Sequence, residues 1–122
     1  MQFALLIYES AQDFGARKND GNDPYIGAWR VYYKALVESG AYVGGDPLEV
    51  SDTATTLRLK DAKRRVQDGP YADTKEQLGG FIILELPSLD EALEWAARCP
   101  AASSGAVEVR PLSPESKQRI RV

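Results

Sequence analysis

Two stretches of the chain are apolar at both odd and even positions. Residues 2–8 read Gln-Phe-Ala-Leu-Leu-Ile-Tyr, and residues 80–86 read Gly-Phe-Ile-Ile-Leu-Glu-Leu. Successive side chains of a strand point to opposite faces, so this pattern is typical of a strand whose sheet is covered on both sides. We therefore predict that these two stretches form the central strands of one sheet.

Two other segments space their apolar residues as helices do. The first begins at Asp23-Pro24, an N-cap acceptor followed by proline, and ends at Gly40. The second begins at Ser88, where Glu91 completes a capping box, and stops before Pro100. The side chains expected to face the core are Ile26, Trp29, Tyr33, Leu36 and Val37 in the first helix and Leu89, Ala92, Leu93 and Ala96 in the second.

The remaining pattern predicts short strands at 41–45 and 107–110 and a hairpin over 53–67 that turns at Asp61-Ala62. We interpret residues 9–23 as a polar loop or a frayed helical turn. The order strand, helix, strand, hairpin, strand, helix, strand indicates an α+β, ferredoxin-like fold with both helices on one face of an antiparallel sheet. Residues 1–112 would form this domain, and residues 113–122 a polar tail that is loose or lies on the surface.

Two helices cover only one face of such a sheet, yet both central strands are apolar on their two sides. The second face needs another cover, and a second copy of the chain is the simplest one. The sequence thus predicts a homodimer, with a cleft between the helix-free face of the sheet and the partner copy that could hold a small molecule.

Composition narrows the class of protein. The 122 residues are 43% hydrophobic and 27% charged, as in one ordinary globular domain. No apolar run is long enough to span a bilayer, and the N-terminus has no basic signal region, so we expect a cytoplasmic protein without membrane contact. The net charge of −3 argues against nucleic acid as a partner, and we interpret the basic cluster 60–65 as a solvated hairpin turn.

Two absences restrict the chemistry. The chain has no histidine, and Cys99 is its only cysteine. This excludes disulfides within the chain, His/Cys zinc sites and every catalytic triad or dyad that uses imidazole. We interpret Cys99 as a small buried hydrophobic residue, and no ligand spacing indicates a metal or an organic cofactor.

The stretch 68–80, Asp-Gly-Pro-Tyr-Ala-Asp-Thr-Lys-Glu-Gln-Leu-Gly-Gly, allows two interpretations. In the structural one, residues 68–70 form a tight turn and Asp73 caps a single helical turn that ends at Glu76. In the functional one, Asp68 or Glu76 is a general base and Lys75 stabilises a developing anion. The side chains predicted to line the cleft are Tyr8, Trp29, Tyr33, Tyr71 and Gln77.

This stretch also carries a family resemblance, together with residues 5–8, 43–45, 55–58, 89–97 and 107–111. The chain resembles the YCII-related domain family, and within it the DGPF subgroup, although Tyr71 stands in place of the signature phenylalanine and Ala62 in place of a turn glycine. The resemblance implies a ferredoxin-like dimeric α+β barrel.

The same resemblance implies two kinds of function. Members of the wider family resemble small enzymes acting on chlorinated or lactone-type aromatic breakdown products through a histidine-aspartate pair, which this chain lacks. Many DGPF proteins are encoded beside extracytoplasmic-function sigma factors. We therefore expect a dimeric protein that binds a small molecule or regulates a partner such as a sigma factor. The alternative is a cofactor-independent enzyme that uses carboxylates for proton transfer, isomerisation or elimination on a cyclic or aromatic metabolite.

Overall fold

A computed structural model describes all 122 residues. The strands are β1 (Gln2–Glu9), β2 (Tyr42–Pro47), β3 (Thr55–Lys60), β4 (Lys63–Asp68), β5 (Gln77–Glu85) and β6 (Ala106–Pro111). The helices are α1 (Ala11–Ala16), α2 (Pro24–Ser39), α3 (Leu89–Arg98) and α4 (Pro114–Ile120), with a short 3₁₀ turn at Ser51–Thr53. None of these helices combines the length and the apolarity needed to cross a bilayer.

Four strands form one antiparallel sheet in the order β2-β5-β1-β6, so β1 and β5 are the central strands, as predicted. This order, with α2 and α3 as the two main helices, is the ferredoxin-like α+β arrangement. The hairpin β3-β4 forms a separate two-stranded sheet. The fold class predicted from the pattern is confirmed.

The core lies between the helices and one face of the main sheet. Directly opposed residues of antiparallel strands share a face, and Phe3 opposes Leu84 while Leu5 opposes Ile82. Phe3, Leu5 and Leu84 are fully buried. Leu36 of α2 completes this group of large, completely buried side chains.

The opposite face of the main sheet is here called the open face, because the core formed with α2 and α3 lies on the other side. Its side chains come from the alternate positions of β1 and β5, where Ala4 opposes Ile83, Leu6 opposes Phe81 and Tyr8 opposes Leu78. All six of these side chains are half-buried or exposed. The prediction that the central strands are apolar on both sides is therefore correct, and the open face is a partly exposed apolar surface.

The helix caps agree with the sequence. Asp23 accepts from the N–H of Tyr25 at 2.8 Å, Gly40 adopts φ 81° at the end of α2, and Ser88 accepts from the N–H of Glu91 at 3.2 Å. Each side chain or glycine satisfies backbone groups that a helix end leaves unpaired.

The predicted inward faces of the helices are partly wrong. In α2 the buried residues are Tyr32 and Leu36, whereas Tyr33 and Val37 are about half exposed. The helix is rotated so that the Tyr32 hydroxyl donates to the Trp95 carbonyl of α3 at 2.8 Å. In α3 the residues that contact the sheet are small, since Ala92 and Ala96 are buried while Leu89 and Leu93 remain half exposed.

Residues 9–23 contain the short helix α1, which Ser10 caps and which buries Phe14, so the helical alternative for this segment is the one observed. The tail contains α4, whose residues are exposed. The helical turn predicted at residues 73–76 is absent, since this segment is irregular and the Thr74 hydroxyl donates to the Glu76 carbonyl.

We expect Leu36→Ala to lower the free energy of unfolding by about 3 kcal/mol, because it empties a fully enclosed site in the core. Val31→Ala on the same helix is the matched control, since Val31 is 72% exposed and its truncation should change stability by less than about 0.5 kcal/mol. Urea unfolding followed by circular dichroism measures both. Equal losses would show that α2 does not pack on the sheet through Leu36.

Candidate functional site

A cavity of about 530 Å³ lies between α2 and the edge of the main sheet formed by β2 and β5. Its walls are mostly apolar and aromatic, and its polar groups are concentrated at one end. The principal wall residues are Ile26, Trp29, Tyr32, Tyr33 and Tyr42. The polar end is formed by Glu9, Arg17 and Tyr25.

Glu9 occupies the fourth inward-facing position of β1, after Phe3, Leu5 and Ile7. Only 3% of the residue is exposed. The strand thus points a carboxylate toward the helices at the place where the apolar core gives way to the cavity. A buried charge of this kind needs direct partners, because removal from water is costly.

Arg17 supplies the opposite charge. Its Nη2 donates to Glu9 Oε1 at 2.7 Å and to the Gly79 carbonyl at 2.8 Å, while Nη1 donates to the Leu48 carbonyl. The guanidinium also lies 4.5 Å from the centre of the Phe14 ring. One side chain therefore joins the end of β1, the segment after α1, the chain after β2, and β5.

Tyr25 binds the other oxygen of the same carboxylate. Its hydroxyl donates to Glu9 Oε2 at 2.5 Å. Burial, and then the hydrogen bond to Glu9, raise the pKa of Tyr25 well above its ordinary value. Tyr25 is consequently a protonated phenol at neutral pH and a hydrogen-bond donor at the end of the cavity.

Gly79 makes room for this arrangement. A Cβ atom at position 79 would overlap Glu9 Oε1, at a separation closer than any real contact. The glycine therefore lets the β5 backbone approach the carboxylate and lets its own carbonyl accept from Arg17.

A row of aromatic rings forms the wall on the side of α2. Tyr25, Trp29, Tyr32 and Trp95 meet in successive edge-to-face contacts with centroid distances of 6.3, 5.6 and 6.0 Å. Burial raises the pKa of Tyr32, so this ring too stays neutral. The row runs from the Glu9 carboxylate to α3, and its first three rings, those of Tyr25, Trp29 and Tyr32, line the cavity.

Two charged side chains lie at the rim. Arg30 donates to the Gly21 carbonyl at 3.3 Å and forms no ion pair, and Asp46 also borders the cavity. No group of three or more His, Cys, Asp or Glu side chains is arranged to hold a metal ion. The site can therefore bind a ligand through aromatic contacts, one paired carboxylate, phenol hydroxyls and backbone carbonyls.

The structure brings part of the predicted cleft lining to this cavity. Trp29 and Tyr33 both line it. Tyr8 belongs to the open face, on the other side of the sheet from Glu9. Gln77 opposes Glu9 across the strands, but its side-chain amide donates to the Thr74 carbonyl.

The residues predicted for catalysis lie outside this cavity. Asp68 is exposed at the end of β4, Lys75 is exposed, and Glu76 is half-buried in the loop before β5. Tyr71 is 76% exposed, with the Arg58 guanidinium 5.5 Å from the centre of its ring. Within one chain, the 68–76 segment and the cavity are separate features.

The site residues predicted from the sequence do not include Glu9, Arg17 or Tyr25. A signal for Glu9 existed, since its carboxylate continues the period-two pattern of Phe3, Leu5 and Ile7 onto the buried face. No signal located Arg17, because the contact requires the chain to turn back through α1. Tyr25 could not be separated from the other aromatic residues of the helix by spacing.

Comparisons with known proteins agree with this fold. The family model of the YCII-related domain matches residues 1–116. The uncharacterised protein R00369 of Rhizobium meliloti (strain 1021) is 35% identical over 115 residues, which are 93% of this chain and 93% of that protein.

Among solved structures, a similar chain is 5-chloro-2-hydroxyhydroquinone dehydrochlorinase (TftG) from Burkholderia phenoliruptrix AC1100, in complex with 2,5-dihydroxybenzoquinone. The TM-score is 0.53 at 21% identity, over 96% of this chain and 98% of the other. At that identity the likeness supports the fold.

We expect Gly79→Ala to lower the free energy of unfolding by about 3 kcal/mol, because the added Cβ displaces the Glu9 carboxylate from Arg17 and leaves a buried charge without its partner. Gly27→Ala is the control. Position 27 lies within α2, and a methyl group added there would meet no neighbouring side chain, so alanine should stabilise the helix by about 0.5 kcal/mol. Thermal and urea unfolding measure both, and a neutral Gly79→Ala would contradict the tight contact at Glu9.

Proposed function

The chain belongs to the YCII-related family, and on that premise we propose that it is a homodimeric protein that binds a small, flat, oxygenated ring compound in the cavity beside Glu9. The observation that carries this proposal is the position of a buried, paired carboxylate at the closed end of an aromatic cavity. A buried ion pair stabilises a fold no more than packed apolar side chains of similar volume do. A charged residue at this core position is therefore not explained by stability alone.

The size and lining of the cavity set the ligand class. A volume of about 530 Å³ lies within the range of ordinary small-molecule sites. Trp29, Tyr33 and Tyr42 line the cavity with aromatic rings, which favour a planar, conjugated ligand.

The polar end of the cavity indicates which substituents the ligand ring carries. Each Glu9 oxygen already has one donor, Arg17 on Oε1 and Tyr25 on Oε2. A ligand hydroxyl can donate to Glu9 Oε2 in place of Tyr25, and the released Tyr25 hydroxyl can donate to a neighbouring ligand oxygen. The matching ligand carries a hydroxyl and a carbonyl or second hydroxyl on adjacent ring positions. The dihydroxybenzoquinone bound to the structurally similar dehydrochlorinase has such groups, which supports this class.

The same contacts favour an enzyme as the second candidate function. Once a ligand hydroxyl replaces Tyr25, Glu9 can accept its proton, and the Tyr25 hydroxyl can donate a hydrogen bond to the neighbouring ring oxygen onto which the negative charge delocalises. This is proton transfer without a cofactor, and it would permit isomerisation of the ring or elimination of a leaving group. Glu9 and Tyr25 would carry out this chemistry, in place of Asp68, Lys75 and Glu76.

The homodimer is proposed from the open face. Leu78 and Phe81 are each more than one-third exposed there, beside Leu6 and Ile83, and a second copy packed on this surface would bury it. The sigma-factor partner and the cytoplasmic location inferred above stay predictions. A co-purified protein identified after gentle isolation would test the former.

We expect the protein to bind 2,5-dihydroxybenzoquinone with a dissociation constant that Glu9→Gln raises on the order of 30-fold, because the amide presents an NH₂ group or a weaker acceptor to the ligand hydroxyl. Isothermal titration calorimetry measures the affinity. Glu38→Gln, outside the cavity, and Asp68→Asn, in the 68–80 motif, are controls that should bind as wild type does.

Two outcomes would contradict this assignment. Equal affinity of wild type and a folded Glu9→Gln variant would remove Glu9 from the site. Loss of binding or turnover in Asp68→Asn, with an unchanged melting temperature, would move the role to the carboxylate predicted from the sequence.

We expect Ile83→Lys to produce a monomer, because it places a charge in the middle of the proposed dimer surface. Val31→Lys, on the exposed side of α2, should leave the oligomeric state unchanged. Native mass spectrometry and light scattering measure the mass of each. A wild-type monomer at every concentration would refute the dimer.

A further inference from the structure

The hairpin β3-β4 has two chemically different faces. In its register Arg58 opposes Arg65 and Lys60 opposes Lys63, so four cations share one face. On the other face Leu57 opposes Val66, next to Leu59, with Arg64 near the turn. The hairpin is therefore amphipathic, although all of its strand residues except Thr56 are exposed.

The hairpin stands away from the core. Its strands pair only with each other, and its anchors lie at the base, where the Gly69 N–H donates to the Ala54 carbonyl at 2.7 Å and the Thr56 hydroxyl donates to the Gly69 carbonyl at 2.8 Å. Six residues of strand extend about 20 Å. An isolated two-stranded hairpin is marginal in water, and opposed like charges weaken it further.

The apolar face is unpartnered. Leu57, Leu59 and Val66 are 52%, 69% and 60% exposed. The chain leaves the main sheet after β2 and returns at Gln77, opposite Glu9, so the hairpin projects from the end of the sheet that carries the cavity. This surface and the open face are both apolar, and both are partly exposed to solvent in a single chain.

We infer that the apolar face of the hairpin packs on the second copy of the chain, so that the hairpin of each protomer of the homodimer contacts the other protomer. The inference rests on the proposed dimer and adds a second contact to it.

The distribution of charge favours a second copy of the chain as the partner of the hairpin. Residues 55–68 carry five basic and two acidic side chains, a net charge of +3, so the rest of the chain carries −6 against the total of −3. The hairpin as a whole is thus complementary in net charge to the body of another copy. Its four opposed cations lie on the face turned away from the contact, where they stay hydrated and oppose pairing of two hairpins, so the apolar face is the docking surface.

The test compares two double variants of the same hairpin. Leu57→Thr with Val66→Thr removes apolar surface from a cross-strand pair, while Lys60→Thr with Lys63→Thr alters a pair on the cationic face and keeps the same β-forming residue. Sedimentation equilibrium should show the dimer dissociation constant rising on the order of 100-fold in the first variant, since a two-fold interface contains each lost side chain twice. The second should stay within about threefold of wild type.

Amide hydrogen exchange of residues 55–68 gives an independent readout. These amides should exchange more slowly in the wild-type dimer than in the Ile83→Lys monomer. A wild-type dimer whose hairpin exchanges as fast as in the monomer, or whose affinity is unchanged by the Leu57/Val66 substitutions, would overturn the inference while the dimer itself stands. A wild-type chain that never dimerises would overturn both.

Discussion

The carboxylate of Glu9, held out of water between Arg17 and Tyr25, is the constraint on which the site depends. Its partners come from the segment after α1 and from the first turn of α2, and Arg17 also binds carbonyls after β2 and within β5. Removing one partner of a buried ion pair leaves an uncompensated charge, so these segments must be in place together. The pair fixes the geometry of the cavity end, and it carries a desolvation cost that an apolar residue would avoid.

The row of aromatic rings continues from the carboxylate along α2 to α3. Tyr25 is both a hydrogen-bond partner of Glu9 and the first ring in the series that passes through Trp29 and Tyr32 to Trp95 on α3. The Tyr32 hydroxyl donates to the Trp95 carbonyl, and this contact belongs to the rotation of α2 that buries Tyr32 in place of the predicted Tyr33.

Two apolar surfaces are partly exposed in a single chain, the open face of the main sheet and the apolar face of the hairpin. The open face belongs to the central strands, and covering it would complete a fold whose other side is already packed. The hairpin is an appendage with its own alternation of apolar and cationic residues. The basic cluster at 60–65, interpreted from the sequence as a solvated turn, is divided between the faces, with Lys60, Lys63 and Arg65 on the cationic face and Arg64 beside the apolar residues.

The sequence by itself determined the order of the elements along the chain, the central place of β1 and β5, the caps of both main helices and the hairpin turn at Asp61-Ala62. These features depend on local spacing and on residues such as Pro24, Gly40 and Ser88. The sequence could not determine the site. Only the tertiary structure joined Glu9 to Arg17 and Tyr25, and only it set the rotation of α2 that buries Tyr32 and exposes Tyr33. The physical reason is that a buried charge and a helix rotation are settled by partners distant in the chain, which a periodic pattern does not contain.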